Sequence, residues 1–407
     1  MKVAFYSDSE TGGGASIAAS RLANALAREG QRVTRFHHQR LQTPFGEPRE
    51  WTSRYLGPDR PLELLINGLS RGAARAAAAL AQERALALLR RGLAEESCDL
   101  LHIHALHNGP LRHAGLRRLP PDFPVVWTFH DCWSFSPEAW IFRDEAGALQ
   151  RLKPDGANRA RSQAVRNAYF GSRSRCTLVA PSRAVGLLAQ EAPHSPVEVV
   201  LHGLDLALFR PLPQDVARAA LRIPQDALVI AFVADRYRNS AKGFSTLEAA
   251  LLRLARPGFV VLVAGDEEPQ ERALGQGSLR VFGRIVQPAL LTQIYAAADL
   301  LVLPSRVEAL GQVAMEAIAC GTPVIGAEIG GIPDVVIPGR TGWLFPAGDV
   351  DRLHALLAEL VSAPERIRAL AANCRAHAEE FFGERRGARA YLGLYQALLE
   401  ARAGPGH

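Results

Sequence analysis

The 407-residue sequence predicts an α/β protein of two doubly wound, Rossmann-like parallel-sheet domains that face a cleft. Short apolar runs rich in β-branched residues alternate with helical segments, as at 2–7, 99–104 and 176–180, which is typical of βαβ units. A chain of this length is also too long for one comfortable hydrophobic core, so two domains are expected.

The strand rhythm places the domain boundary near Asp205. The alternation of strands and helices ends there, a proline-rich stretch follows, and the next strand is predicted at 227–233. Further strands are predicted at 259–264, 279–282, 299–303 and 322–326. We therefore expect one domain at 1–205 and a second domain at 206–382. The segment 383–407 carries apolar residues at helical spacing and is predicted to return to the first domain.

Composition narrows the class of protein. Five cysteines without a C-x-x-C pair argue against a disulfide framework or a structural zinc site, and so predict a reducing compartment. The chain enters a strand directly and holds no long uncharged apolar run, so we expect a cytoplasmic protein. The net charge of +6 suits anionic ligands, but no basic, aromatic face indicates a nucleic-acid partner.

A helix-forming segment at 61–96 is rich in alanine, leucine and arginine. Its favoured interpretation is an amphipathic helix packed on the first sheet, because an arginine-bearing face is normal for the solvated side of such a helix. A peripheral contact with the inner face of the membrane is the secondary hypothesis.

Two carboxylates follow one apolar strand of the second half. After the run 300–303 comes Glu308, then a helix that carries Glu316 and ends before Gly321. We place Glu308 just before the helix, Gly311 in its first turn and Glu316 about two turns inside, so that both carboxylates face one groove. Doubly wound sheets bind ligands at this edge, so the pair is suited to two hydroxyl-rich parts of one extended ligand. For an isolated pair, a capping acid and an ordinary exposed helix glutamate would be the favoured interpretation, and the position at this sheet edge reverses that preference.

A second loop of this half carries concentrated positive charge. Lys242 is its single lysine, and it precedes Gly243 at a strand-to-helix turn. A lysine in that place is suited to neutralise a diphosphate, with Arg236 or Arg238 as the second clamp. The alternative is an ordinary solvated basic loop.

The first half offers a glycine-rich turn at 11–16 and a strand that ends in His130 and Asp131. Gly13, Gly14 and Ser16 allow close backbone approach by a donor phosphate or an acceptor, but the glycines do not follow the dinucleotide fingerprint. A nicotinamide-dependent enzyme is therefore a poor interpretation. His130 is the candidate catalytic residue of this half, and Asp131 is suited to orient it or to bind the acceptor.

Neighbouring histidines raise a metal hypothesis, which we reject. His102 and His104 alternate along a strand and are expected on opposite faces, and no carboxylate partner or H-E-x-x-H pattern accompanies them or His107. We predict no metal site, and we expect His104 to line the acceptor cleft.

The motifs of the second half resemble glycosyltransferase family 4, which implies a GT-B architecture with an acceptor-binding domain at 1–205 and a donor-binding domain at 206–382. These motifs are Pro304-Ser305, Glu308 with seven residues before Glu316, the run AIACGTPV at 317–324 and GGIPD at 330–334. The resemblance implies that Glu308 contacts the donor sugar and Glu316 the nucleotide ribose. The other donor-binding positions that the resemblance implies are Gly283, Arg284, Ile285, Ala309, Leu310 and Gly311.

The loop before Lys242 departs from the family pattern, because Ala234 and Asp235 stand where a glycine is usual. The segment 127–133 resembles the Trp-Thr-x-His-Asp-x-Trp stretch of members that build surface polysaccharides, although PEAW at 137–140 replaces the Gly-His-Cys that often follows.

These expectations together describe a retaining, metal-independent transferase without a cofactor. It would move a hexose from a nucleoside-diphosphate sugar to a saccharide or a lipid-linked saccharide. The alternatives are a nucleotide-sugar epimerase, a phosphorylase or a non-catalytic binder of similar architecture. A phosphorylase would hold pyridoxal phosphate on a lysine, and lysines stand only at 2, 153 and 242.

Overall fold

The computed structural model describes residues 1–9, 13–38, 50–57, 71–106, 109–136, 140–143, 149–152, 159–172, 174–190 and 196–401. The strands of the first half are β1 Lys2–Ser7, β2 Arg32–His37, β3 Thr52–Tyr55, β4 Leu100–Ala105, β5 Val125–Thr128, β6 Trp140–Arg143, β7 Leu149–Leu152, β8 Cys176–Ala180 and β9 Val197–Val199. Its helices are α1 Gly13–Arg28, α2 Arg71–Glu95, α3 His113–Leu116, α4 Arg159–Gly171 and α5 Arg183–Gln190.

The second half continues the same alternation. Its strands are β10 Val229–Val233, β11 Val260–Ala264, β12 Gln270–Leu274, β13 Gly277–Val281, β14 Leu300–Leu303, β15 Val324–Ala327 and β16 Gly342–Phe345. Its helices are α6 Gln214–Ala220, α7 Phe244–Leu252, α8 Pro288–Ala297, α9 Gln312–Ala319, α10 Ile332–Val335, α11 Val350–Ser362, α12 Pro364–Arg368, α13 Ala371–Phe381 and α14 Glu384–Glu400. A short 3₁₀ helix, Ser240–Lys242, precedes α7.

Each half contains one seven-stranded sheet, and β6 and β7 of the first half pair with each other in a separate antiparallel sheet. The first has the order β3-β2-β1-β4-β5-β8-β9 with parallel pairs throughout, and the second has the order β12-β13-β11-β10-β14-β15-β16. In the second sheet only the edge strand β12 runs antiparallel to its neighbour. The predicted pair of doubly wound sheets is thereby confirmed.

The strand order reverses between β1 and β4 in the first sheet and between β10 and β14 in the second. In open α/β sheets the loops that leave the carboxyl ends of the strands at such a reversal diverge to opposite faces and leave a crevice, where ligands bind. The loops after these four strands are therefore the expected ligand-binding loops.

The last helix, α14, packs on the first sheet. Tyr391, Tyr395 and Leu398 are buried in one cluster with Phe5 of β1 and Leu26 of α1. The chain thus crosses between the sheets twice, and the two crossings are hydrogen bonded to each other. The backbone N–H of Leu204 donates to the carbonyl of Phe382 at 2.7 Å, and that of Glu384 donates to the carbonyl of Leu204 at 3.0 Å.

The segment 61–96 is described only from residue 71. Within α2, the side chains of Leu86, Leu89 and Leu93 are buried against the first sheet, whereas Leu80 is exposed. This favours the packed amphipathic helix. Within the described ranges, none of the helices combines the length and the hydropathy that a bilayer-spanning segment needs.

Candidate functional site

Lys242 and Glu308 meet at the reversal point of the second sheet. The Nζ of Lys242 donates to Oε2 of Glu308 at 2.8 Å, and the hydroxyl of Ser305 lies 3.4 Å from the same oxygen. Lys242 follows β10 and Glu308 follows β14, and these strands are neighbours. The two side chains are 32% and 14% exposed, so the pair lies at the surface of a crevice.

Backbone contacts hold the two loops together. The N–H of Arg306 donates to the carbonyl of Ala241 at 2.9 Å. Gly243 has a φ of +71°, and a Cβ at this position would lie 1.8 Å from the carbonyl oxygen of Pro304. Only glycine fits there, because both the left-handed backbone and the close approach exclude a side chain.

Glu316 lies on α9 and is almost fully buried. Oε1 accepts from Nη2 of Arg21 at 2.8 Å, and Oε2 accepts from the hydroxyl of Tyr295 at 2.7 Å. Burial and the nearby carboxylate raise the pKa of Tyr295 well above its ordinary value, so the phenol remains a donor. Glu316 is therefore held by one group from each sheet domain.

The predicted position of Glu316 two turns inside the helix is wrong. Gly311 has a φ of +94° and stands before the first helical residue, so α9 begins at Gln312 and Glu316 lies one turn inside. The loop after β14 is correspondingly longer, and Ala309 and Leu310 belong to it. The free N–H groups at the start of α9 remain a favourable place for an anion.

Several direct contacts among the described residues bring the first half against this loop and helix, and three of them are 2.9 Å or shorter. The Nε2 of Gln312 donates to the carbonyl of Gly14 at 2.9 Å, and the hydroxyl of Ser182 donates to the carbonyl of Ala309 at 2.6 Å. The third is the ion pair between Arg21 and Glu316. The predicted glycine turn therefore lies beside the predicted donor helix, although Thr11 and Gly12 fall outside the described residues.

The two candidate arginines differ in their contacts. Arg238 is paired with Glu267 and its guanidinium lies 5.4 Å from the ring centroid of Tyr237. Arg236 is exposed and makes no side-chain hydrogen bond or ion pair with the described part of the chain. Of the two candidates, Arg236 is accordingly the one whose guanidinium is not engaged by another described residue.

The remaining donor candidates lie at the ends of β13 and β11. The carbonyl of Gly283 accepts from the N–H of Gly265 at 3.1 Å. Arg284 is exposed and pairs with Asp235 of the Lys242 loop at 3.4 Å, and Ile285 packs on the second core. These residues thus border the same crevice as Lys242.

His130 and His104 are brought together at the reversal point of the first sheet. The Nδ1 of His104 lies 3.0 Å from Nε2 of His130, and the ring of His202 lies 5.1 Å from that of His130, centroid to centroid. Burial lowers the pKa of His104 well below its ordinary value and that of His202 to about 4. The Nε2 of His104 and both ring nitrogens of His202 are buried without a hydrogen-bond partner among the described residues.

The other two acceptor candidates are engaged locally. The hydroxyl of Ser16 is buried and lies 2.9 Å from that of Ser9, so it holds the start of α1. Oδ1 of Asp131 accepts from the N–H of Trp133 at 3.0 Å and thereby shapes the turn after β5.

The expectation that His102 and His104 point to opposite faces is wrong. Their ring centroids are 4.0 Å apart, because residues two positions apart on a strand share a face. No group of three or more His, Cys, Asp and Glu side chains within the described ranges is arranged to hold a metal ion. His107 lies outside those ranges.

Sequence reasoning missed Arg21, Tyr295 and His202. Arg21 and Tyr295 lie inside amphipathic helices, where an isolated polar residue carries no signal of a partner. His202 lies in the first crossing between the sheets, next to Gly203. Its signal in the sequence is a histidine in a largely apolar connection, but the same residues also fit the end of a strand pattern.

Two family profiles match the chain. The family described as Glycosyltransferase Family 4 matches residues 12–208, and the family described as Glycosyl transferases group 1 matches residues 213–378. Together these matches include the loops after β4, β5, β10 and β14.

Among curated relatives, the D-inositol 3-phosphate glycosyltransferase of Segniliparus rotundus is 36% identical over 219 residues, covering 51% of this chain and 48% of the relative. D-inositol 3-phosphate glycosyltransferase 1 of Catenulispora acidiphila is 34% identical over 355 residues, covering 76% of this chain and 84% of the relative. The chain thus spans about half the length of the first relative and most of the second.

Solved structures share the fold. Sucrose-phosphate synthase from Thermosynechococcus elongatus superposes with a TM-score of 0.72 at 22% identity, covering 98% of this chain and 99% of the other. HepE of Anabaena, solved with UDP and glucose, gives 0.66 at 19% identity, with 98% and 100% covered. These structures show the fold, and the family profiles with the extended relative from Catenulispora acidiphila establish that the chain belongs to glycosyltransferase family 4.

Proposed function

We propose that this chain transfers a hexosyl group from a nucleoside-diphosphate sugar to an alcohol acceptor, with retention of the anomeric configuration and without a metal ion. The observation that carries the proposal is the 2.8 Å pair of Lys242 and Glu308 at the reversal point of the second sheet, with Glu316 one helical turn further on. Such an arrangement suits a ligand in which a diphosphate joins two sugars. The lysine can bind the diphosphate, and each carboxylate can accept hydrogen bonds from the hydroxyls of one sugar.

In this proposal each part of the donor has its own contacts. Glu308 accepts hydrogen bonds from the donor sugar, Glu316 accepts them from the ribose, and the backbone at Arg284 and Ile285 faces the base. The diphosphate lies near Lys242, Arg236 and the first N–H groups of α9. The UDP and glucose bound to HepE make UDP-glucose the first donor to test.

The chemistry requires the bond between C1 of the sugar and the diphosphate oxygen to break. A new bond forms between C1 and the acceptor oxygen on the same face, and the acceptor proton passes to the departing phosphate oxygen. Lys242 and Arg236 stabilise the negative charge that develops on the leaving group. Approach of the two sheets, as in the contact of Gln312 with Gly14, limits access of water and so favours transfer over hydrolysis.

We place the acceptor at the carboxyl ends of β4 and β5, beside His104, His130 and Asp131. His130 orients a sugar or acceptor hydroxyl by a hydrogen bond. A saccharide or lipid-linked saccharide of a polysaccharide or glycoconjugate pathway is the proposed acceptor class. D-inositol 3-phosphate is tested as an acceptor as well, since it is part of the names of the curated relatives.

The proposed location of the protein is the cytoplasm. The five free cysteine thiols support this location.

The test begins with calorimetric binding of UDP, GDP, ADP and TDP, followed by turnover of the corresponding sugar nucleotides. Wild type is compared with Glu308→Gln and Glu316→Gln. Glu365→Gln serves as the matched control, because Glu365 is an exposed glutamate of α12 outside the crevice. We expect one nucleoside diphosphate to bind, Glu308→Gln to lose about 10²-fold or more in kcat, and the control to match wild type.

The outcomes separate the alternatives. Acceptor-dependent release of nucleoside diphosphate with a new glycoside supports the transferase, and NMR of the product anomer tests retention. Conversion of the sugar nucleotide without any acceptor indicates an epimerase, and dependence on inorganic phosphate and pyridoxal phosphate indicates a phosphorylase. Binding without turnover across the acceptor set, or no nucleotide binding by folded protein, refutes the proposal.

A further inference from the structure

A buried ion pair joins the first half of the chain to the proposed ribose-binding carboxylate. Arg21 lies on α1, and its Nη2 is 2.8 Å from Oε1 of Glu316. The two side chains are 5% and 7% exposed. A guanidinium and a carboxylate at this degree of burial interact strongly, and removing one partner leaves the other uncompensated.

The orientation of the carboxylate is fixed from both sides. The hydroxyl of Tyr295 donates to Oε2 at 2.7 Å while Arg21 donates to Oε1. An ionised carboxylate offers about four acceptor positions, so two donors hold Glu316 and leave further lone pairs for ligand hydroxyls. Without Arg21, only the phenol of Tyr295 would restrain rotation of the Glu316 side chain.

Arg21 is itself held in place. Its guanidinium lies 5.0 Å from the ring centroid of Phe209, and its Nη1 lies 3.4 Å from Oε1 of Gln312. The amide of Gln312 in turn donates to the carbonyl of Gly14 at 2.9 Å. The helix α1 is therefore connected to α9 both at its glycine-bearing start and two turns later.

We infer that Arg21 is a positioning residue for the donor. It holds Glu316 in the orientation in which that carboxylate accepts hydrogen bonds from the ribose hydroxyls of a nucleoside diphosphate. A residue of the first half thus sets ribose recognition in the second half. The inference rests on the proposed function, since it assumes that Glu316 contacts the ribose.

The test measures how strongly the protein distinguishes ribose from deoxyribose. Binding of UDP, GDP and ADP is measured by calorimetry, each against its 2′-deoxy counterpart, in wild type, Glu316→Gln, Arg21→Met and Arg21→Lys. Wild type is expected to prefer the ribonucleotide about 10- to 100-fold, the range for a hydrogen bond to a charged group. Arg21→Met is expected to lower this preference below about threefold, and Arg21→Lys, which keeps a charged donor, to retain part of it.

Arg183→Met is the matched control. Arg183 also pairs across the two halves, with Nε 2.6 Å from Oδ1 of Asp334, but away from Glu316. This variant weakens an interdomain ion pair and should keep the wild-type preference. If Arg21→Met does not fold, Tyr295→Phe and Arg21→Lys carry the test, because neither leaves the carboxylate without a charged or hydrogen-bonding partner.

A purely structural role for Arg21 would weaken ribonucleotide and deoxynucleotide equally. An undiminished preference in folded Arg21→Met, together with its loss in Glu316→Gln, therefore overturns the inference and leaves the proposed function standing. Tighter binding of the ribonucleotide by Arg21→Met also overturns it, since Arg21 would then compete with the ribose. If wild type binds no nucleotide, or binds without any preference, the assigned role of Glu316 fails and the inference fails with it.

Discussion

The imidazoles of His104 and His130 lie side by side, with 3.0 Å between Nδ1 of the first and Nε2 of the second. His104 is 2% exposed and its pKa is lowered well below the ordinary value by burial, so its ring is neutral at pH 7. A neutral imidazole next to the partly exposed His130 fixes the ring that faces the cleft without adding a second charge to it.

This pairing predicts separate effects of the two histidines. His130→Ala should lower kcat about 10²-fold, because a hydrogen bond to the reacting substrates is lost. His104→Leu should lower kcat about tenfold, the value of one neutral hydrogen bond that positions His130. Both variants should bind nucleoside diphosphate like wild type in calorimetry. A parallel loss of nucleotide binding would contradict the placement of these histidines on the acceptor side.

A comparison of Arg236 and Arg238 tests which arginine binds the diphosphate together with Lys242. Arg236→Met should weaken nucleoside-diphosphate binding about tenfold, since a charge-assisted hydrogen bond to phosphate is lost. Arg238→Met should change it less than threefold, because Arg238 is paired with Glu267. Nucleoside binding should be unaffected in both. The assignment is reversed if Arg238→Met has the larger effect.

Substitutions at Gly243 and Gly258 allow the cost of a left-handed backbone to be measured separately from the cost of a close contact. Their φ values are +71° and +75°, but a Cβ at Gly258 meets nothing within 4 Å, whereas at Gly243 it meets the carbonyl of Pro304. Gly258→Ala should cost about 1 kcal/mol of stability through the left-handed backbone alone. Gly243→Ala should cost about 3 kcal/mol or more and should displace Lys242. Chemical unfolding and nucleotide titration check both parts, and equal losses of stability would show that the contact with Pro304 is unimportant.

Stability should fall as the pH falls below about 6.5, in part because of His102. Burial lowers the pKa of His102 from 6.5 to about 3, so between these values the unfolded chain takes up a proton that the folded chain does not. The loss is about 1.4 kcal/mol per pH unit for this group. Urea unfolding of wild type and His102→Gln between pH 7.5 and 5 measures it. The variant should show the shallower pH dependence, and an unchanged slope would mean that other groups account for acid sensitivity.

The sequence predicted that Lys242 and Glu308 belong to one ligand site, although it did not predict the ion pair between them. Both follow apolar runs that read clearly as buried strands, and the carboxyl ends of parallel strands share an edge of the sheet. Strand positions and loop chemistry were therefore sufficient. The edge strand β12 was not predicted, because its residues Gln270–Leu274 are largely polar and exposed and lack the alternation of a half-buried strand.

The meeting of Arg21 with Glu316 was not accessible, although the two residues are joined as closely as Lys242 and Glu308. They are separated by 295 positions and lie on helices of different halves. Which helix faces meet depends on how the two sheets are oriented, and no local periodicity encodes that. The same holds for the hydroxyl of Tyr395, which lies 2.6 Å from Nδ1 of His102 across 293 positions.

Because the two crossings lie side by side at Leu204 and Gly383, the second half can be exchanged as one continuous segment. Both ends of this segment leave the first sheet side by side, so its two covalent connections to the rest of the chain lie at one place. A homologous segment from a relative with another sugar nucleotide preference could be inserted there without new linkers, while α14 stays on its own sheet. If the proposed function holds, recombination at these two points would exchange the proposed donor site and leave His104 and His130 in place, provided that the inserted α9 still presents a carboxylate to Arg21.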